Sequence, residues 1–172
     1  MKAHEIIKNL YVGDSDTYER LKNNSGWSFL NAKKEGPGGH RDMLGYESPG
    51  APKGPNYLSV RRGNHMALNL LDVDDPSLIP DEVIDKGLKF INERMRSGDK
   101  LLVSCHSGHS RSQTLCMLWL RTVGELPQGF VRAQHIFKTI SPHYDPGIGM
   151  RAHARARWDE LKDIYNGRTR ST

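Results

Sequence analysis

Leu101-Leu102-Val103-Ser104-Cys105-His106-Ser107-Gly108-His109-Ser110-Arg111-Ser112 changes character within a few residues. It opens as a short continuous apolar run, the pattern of a central strand buried on both faces. Polar loop residues follow abruptly. From Ser112 through Val123 the chain is apolar on most sides, which predicts a buried helix ended by Gly124. A strand that passes through a short Gly-bearing loop into a helix is suited to anions. The loop wraps so that successive N–H groups point inward, and the helix adds its unpaired first donors and the positive end of its dipole. Cys105 stands at the loop's start and Arg111 at its end, so both face one bound anion. The Arg fork matches two phosphate oxygens at once. The same positive field favours thiolate over thiol at Cys105, and a thiolate beneath a cradled phosphate is placed for in-line attack. His106, Ser107, Gly108, His109, Ser110 and Arg111 are the expected phosphate-binding residues.

Outward from this unit, the chain reads as strands first and helices after. Glu5 to Gly13 predicts a first strand or hairpin, with Asp14 or Ser15 capping a short helix through Tyr18 and Leu21. Trp27 to Ala32 predicts a second strand, and Tyr57–Arg61 and Met66–Val73 two more. Pro80-Asp81-Glu82 opens a helix with Pro and acids in its first turn, where they suit the dipole. That helix carries an apolar stripe of Val83, Ile84, Leu88, Ile91 and Met95. Two more helices are expected over 128–140 and 150–165. The fold class is α/β: a single domain with a central, mostly parallel sheet flanked by helices, and the Cys-to-Arg loop between a central strand and a buried helix. Residues 33–56 break the pattern with six Gly and four Pro. They predict a long insertion, either inert or used in recognition. A polar tail is expected at 166–172.

The composition agrees with one domain of 172 residues. No apolar stretch approaches the ~18 residues of a membrane span. Two Cys do not make a disulfide framework, and a reducing, cytoplasmic setting is the expectation. The net charge of +5 favours anionic partners without saying which. Arg151, His153, Arg155 and Arg157 suggest a nucleic-acid contact, but Asp159, Glu160 and Asp163 follow at once with no aromatic platform between them. No nucleic-acid partner is expected.

A leaving alkoxide or phenoxide needs a proton, and Asp72, Asp74 and Asp75 lie upstream in Leu70-Leu71-Asp72-Val73-Asp74-Asp75-Pro76. Alternation along a strand puts Asp75 at its exit, where an acid on a loop belongs. Asp74 is the second choice, and Asp72 reads as a strand-end or structural residue. Cys116, in the middle of the buried helix, reads as core.

At these residues the sequence resembles the dual-specificity branch of the protein tyrosine phosphatase superfamily. Its signature, Cys-x5-Arg followed by Ser or Thr, is met by Cys105, Arg111 and Ser112, with Gly108 at the usual Gly. Gly-His-Ser-Arg-Ser-Gln-Thr looks like the version common in dual-specificity members. Asn9-Leu10-Tyr11-Val12-Gly13 resembles the opening strand, and Leu71-Asp72-Val73-Asp74-Asp75 the acid loop. The resemblance implies a phosphocysteine on Cys105, phosphate binding by Arg111, acid and base duty on Asp75, and a Ser112 hydroxyl that eases thiolate departure. It implies a phosphoprotein substrate, phosphotyrosine first and phosphoserine or phosphothreonine with it, and no metal or other cofactor. The family usually has His before the nucleophile; here it is Ser104. The alternatives are a phosphoinositide or RNA 5′-phosphate phosphatase with the same chemistry, a rhodanese-like sulfur-transfer loop, and a catalytically weak phosphate-binding module.

Overall fold

The computed structural model describes residues 1–47 and 49–166. Strands β1 (His4–Ile7) and β2 (Leu10–Gly13) form the opening hairpin, turning at Asn9 with φ 72°. Helix α1 (Ser15–Leu21) begins where Asp14 accepts the Thr17 N–H, the side-chain cap expected of Asp at that position. β3 (Trp27–Asn31) leads into the Gly- and Pro-rich stretch, which contains the one-turn helix α2 (His40–Leu44). β4 (Ser59–Arg62) and β5 (His65–Leu68) pair as a hairpin across Gly63. A 3₁₀ turn at Pro76–Leu78 precedes α3 (Asp81–Ser97). Then come β6 (Lys100–Ser104), α4 (Arg111–Thr122), α5 (Phe130–Ile140) and α6 (Ile148–Arg157). The last helix ends earlier than its apolar spacing predicts, giving way to turns. Of the polar tail expected at 166–172, only Asn166 falls within the described residues.

The sheet order is β1-β2-β6-β3-β5-β4. β6 lies parallel to β2 on one side and to β3 on the other, β3 and β5 are parallel, and the two edge pairs are antiparallel. This is the expected single-domain α/β architecture. Alternate residues of β6 serve opposite faces, as the strand period of two requires. Leu101 and Val103 enter the main core with Leu88, Ile91, Leu115 and Leu118, while Leu102 joins Tyr18 and Phe29 under α1. Among the described residues no helix is long and apolar enough to cross a membrane.

Gly13, Ser104 and Asn31 lie in one row across β2, β6 and β3. The three chains that leave this row are the start of α1, the Cys105 loop and Ala32-Lys33. In parallel sheets the carboxyl ends of adjacent strands are where ligand sites are built.

Candidate active site

The loop from Cys105 to Arg111 leaves β6 and turns straight into α4. Gly108 sits at φ 77°, a left-handed conformation that glycine adopts without strain. A Cβ there would lie 3.0 Å from the Gly13 backbone, so the site needs Gly for space as well. None of the backbone N–H groups from His106 to Arg111 donates to an acceptor among the described residues. The loop's carbonyls, in contrast, are held from outside. His106 O accepts from Ser15 N at 3.2 Å, Gly108 O from Gln113 Nε2 at 2.9 Å, and His109 O from Asp145 N at 3.0 Å. Gln113 is itself fixed by the Ser141 hydroxyl at 2.6 Å. Carbonyls tied back and N–H groups left unpaired make an anion nest.

Cys105 is 1 % exposed, and its Sγ lies 3.2 Å from the Ser112 hydroxyl. Arg111 donates from Nη1 to the Leu70 carbonyl at 3.0 Å, while its buried Nε has no partner among the described residues. Orientation by Leu70 therefore leaves a forked donor edge unused. His106 and Arg111 line a cleft of about 400 Å³ together with Glu35, Gly36, Leu71, Asp72 and Val73. Ser107 and His109 are exposed, and His109 stacks on His143 with centroids 6.0 Å apart. The Ser110 hydroxyl accepts the Gly147 N–H at 2.8 Å, which ties the loop to the segment before α6.

The acids fall differently from expectation. Asp75 does not line the cleft. It precedes the 3₁₀ turn and accepts the Ser77 N–H at 2.9 Å, and Ser77 holds its exposed carboxyl below the usual carboxylate range. Asp72, read from sequence as structural, faces the cleft with Arg111. The reason is local: β5 ends at Leu68, so the alternation used to orient residues 70–75 has already lapsed. The acid segment is then shaped by Gly147 and Gly149. A Cβ on Gly147 would stand 2.5 Å from Asp72 Oδ1, and one on Gly149 would stand 1.9 Å from the Val73 carbonyl oxygen. Asp145-Pro146-Gly147-Ile148-Gly149 thus touches both the Cys105 loop and the acid segment. In the sequence only its two closely spaced glycines hint at this.

Ser104 is fully buried and donates to Asn31 Oδ1 at 2.6 Å, so its hydroxyl faces the neighbouring strand. Burial pushes the Cys116 thiol up, with Cys105 adding to the effect. It is a core residue with no ionised form near neutrality. The insertion supplies Glu35 and Gly36 to the cleft wall, and buried His40 pins it through Tyr46 Oη at 2.9 Å and the Asn56 carbonyl at 2.7 Å.

Strand order, the strand–loop–helix site and the flanking helices together match one known architecture. The chain has the dual-specificity phosphatase fold. DUSP15 is similar over 99 % of this chain and 97 % of its own, with a TM-score of 0.64 and 18 % identity. Human DUSP28 is similar over 94 % of this chain and 95 % of its own (TM-score 0.62, 19 % identity). A mouse putative dual specificity phosphatase complexed with zinc tungstate covers 93 % of this chain and 88 % of its own (TM-score 0.60, 21 % identity). No protein-family model and no curated protein matches the chain by sequence. The dual-specificity phosphatase fold is therefore carried here on a divergent sequence.

Proposed function

We propose that the chain hydrolyses phosphomonoesters on proteins through a phosphocysteine intermediate, with phosphotyrosine as the leading substrate and phosphoserine and phosphothreonine also accepted. The observation that carries this reading is the unpaired run of N–H groups from His106 to Arg111 with Cys105 at its start. Tungstate, bound by the mouse phosphatase of similar fold, is a tetrahedral oxyanion like phosphate, which supports an oxyanion site here.

In the first step the Cys105 thiolate attacks phosphorus in line, forming the S–P bond as the P–O bond to the leaving group breaks. The N–H groups and the free edge of Arg111 hold the three equatorial oxygens, so their charge is met by fixed donors. Asp72, which lines the same cleft as Arg111, gives its proton to the departing oxygen. In the second step Asp72 takes a proton from water as that water attacks phosphorus, and the S–P electrons return to Cys105. The Ser112 hydroxyl donates to the sulfur as it becomes thiolate.

The cleft also favours a protein substrate over a polyanion. Arg111 is the one Arg or Lys among its lining residues, and Glu35 and Asp72 are acidic. A phosphoinositide or an RNA end carries further phosphates that this wall repels, whereas Leu71, 47 % exposed, offers an apolar flank to an aromatic ring.

The test is phosphate release from a phosphotyrosine peptide, with chelator present, for wild type and Cys105→Ser. Turnover that survives chelator and disappears in Cys105→Ser is expected. Peptide binding without turnover in wild type would instead make the protein a phosphate reader.

A further inference from the structure

Lys33 is wholly buried, yet among the described residues it forms no ion pair. An ammonium removed from water without a nearby anion is strongly disfavoured. Its surroundings show where the compensating charge belongs. Lys33 follows β3, and Ser15 follows β2; these strands lie on opposite sides of β6. Lys33 Nζ nevertheless donates to Ser15 Oγ at 2.6 Å. The lysine stem must therefore cross the carboxyl end of β6, where Cys105 opens the phosphate loop. Ser15 meets the same loop through its N–H to the His106 carbonyl.

The charged groups around Lys33 agree. Burial pulls its ammonium below the ordinary lysine value, and Cys105 is the largest charge working the other way, ahead of Glu19 on α1 and Asp42 on α2; Arg111 opposes. An ammonium carries three N–H donors, and Ser15 takes one. The Tyr18 ring, 5.9 Å away, covers another side.

We propose that Lys33 is the second cation of the phosphate-loop site, set beside Arg111 to hold Cys105 as thiolate and to neutralise a phosphomonoester dianion bound there. This rests on reading the loop as a phosphate site. It also explains how the chain manages with Ser104 before the nucleophile: Ser104 bonds Asn31, the last residue of β3, and the charge comes from Lys33, two residues beyond that strand's end. Lys33 acts by its charge on Cys105 and on the bound phosphate while its own contacts are with Ser15 and Tyr18, and it is a positioning residue.

The test is the rate of Cys105 alkylation by iodoacetamide against pH, followed by mass spectrometry, with inorganic phosphate as protecting ligand. Wild type, Lys33→Met and Lys33→Gln are compared, the last keeping a donor for Ser15. Both substitutions are expected to move the profile midpoint up by about one unit, equivalent to roughly tenfold less thiolate below it, and to weaken phosphate protection about tenfold. Folded variants with unchanged midpoint and protection would overturn the proposal, whatever their thermal stability. If both variants unfold, side-chain ¹⁵N NMR of wild type decides. A Lys33 ammonium signal at pH 7 that moves with phosphate supports the assignment, and a neutral amine overturns it. Wild-type Cys105 that phosphate fails to protect would overturn the phosphate site and this proposal together. Protection without turnover would remove only the catalytic reading.

Discussion

Replacing Asp72 by Asn removes from the cleft the carboxyl we propose as proton donor while keeping the side chain's size beside Gly147. A positioned general acid is worth about 10² to 10⁴ in rate, or roughly 3 to 5 kcal/mol of barrier. Where the loss falls in that range depends on the leaving group. The tyrosine phenol, with a pKa of ~10, departs more readily than a serine or threonine alkoxide. The expected loss in kcat is therefore about 10² on a phosphotyrosine peptide and nearer 10⁴ on phosphothreonine. It is small on para-nitrophenyl phosphate, whose phenol is more acidic still. Asp75→Asn is the matched control, because Asn caps a helical turn as Asp does and Asp75 does not line the cleft. It is expected to keep wild-type rates on all three substrates. The assay is steady-state phosphate release at one pH with the folding of each variant checked by thermal melting. A larger loss in Asp75→Asn, or an Asp72→Asn loss equal on all three leaving groups, would refute the assignment.

Gly149→Ala places a methyl 1.9 Å from the Val73 carbonyl oxygen, so the acid segment must move. Thermal melting should show destabilisation of about 1–3 kcal/mol, the usual range for overpacking, and the phosphotyrosine rate should fall further than that of para-nitrophenyl phosphate. Ser112→Ala removes the hydroxyl 3.2 Å from Cys105 Sγ. Rapid-quench measurements should show a burst of leaving group followed by slow turnover, as phosphocysteine accumulates. His40, His65 and His153 are all held below the ordinary histidine value, mainly by burial. The unfolded chain therefore binds more protons than the folded one as pH drops. Stability should be full above the unfolded value of ~6.5 and decline as pH falls through it toward the lower folded values. Urea midpoints at pH 7.5, 6.5 and 5.5 should decrease in that order, and less steeply in His40→Gln.

What was legible in the sequence was what is contiguous. The β6 run, the Gly-bearing loop and α4 follow one another directly, so the strand–loop–helix unit that brings Cys105, the unpaired N–H groups and Arg111 together could be read from adjacency and backbone chemistry alone. The β1–β2 hairpin, the Asp14 cap and the stripe of α3 were equally local. Which Asp lines the cleft was not, because the alternation that favoured Asp75 needs a paired strand, and pairing stops at Leu68. Beyond that point the chain is shaped by Gly147 and Gly149, more than seventy residues away, whose missing side chains let the acid segment approach. Lys33 and Ser15 meet only because β2 and β3 flank β6 in the sheet order. The sequence by itself determined an α/β chain with a thiol and an Arg around one anion cradle. Only the tertiary structure decided which acid lines the cleft and which buried lysine meets Ser15, since both depend on strand neighbours and close approaches that no local pattern encodes.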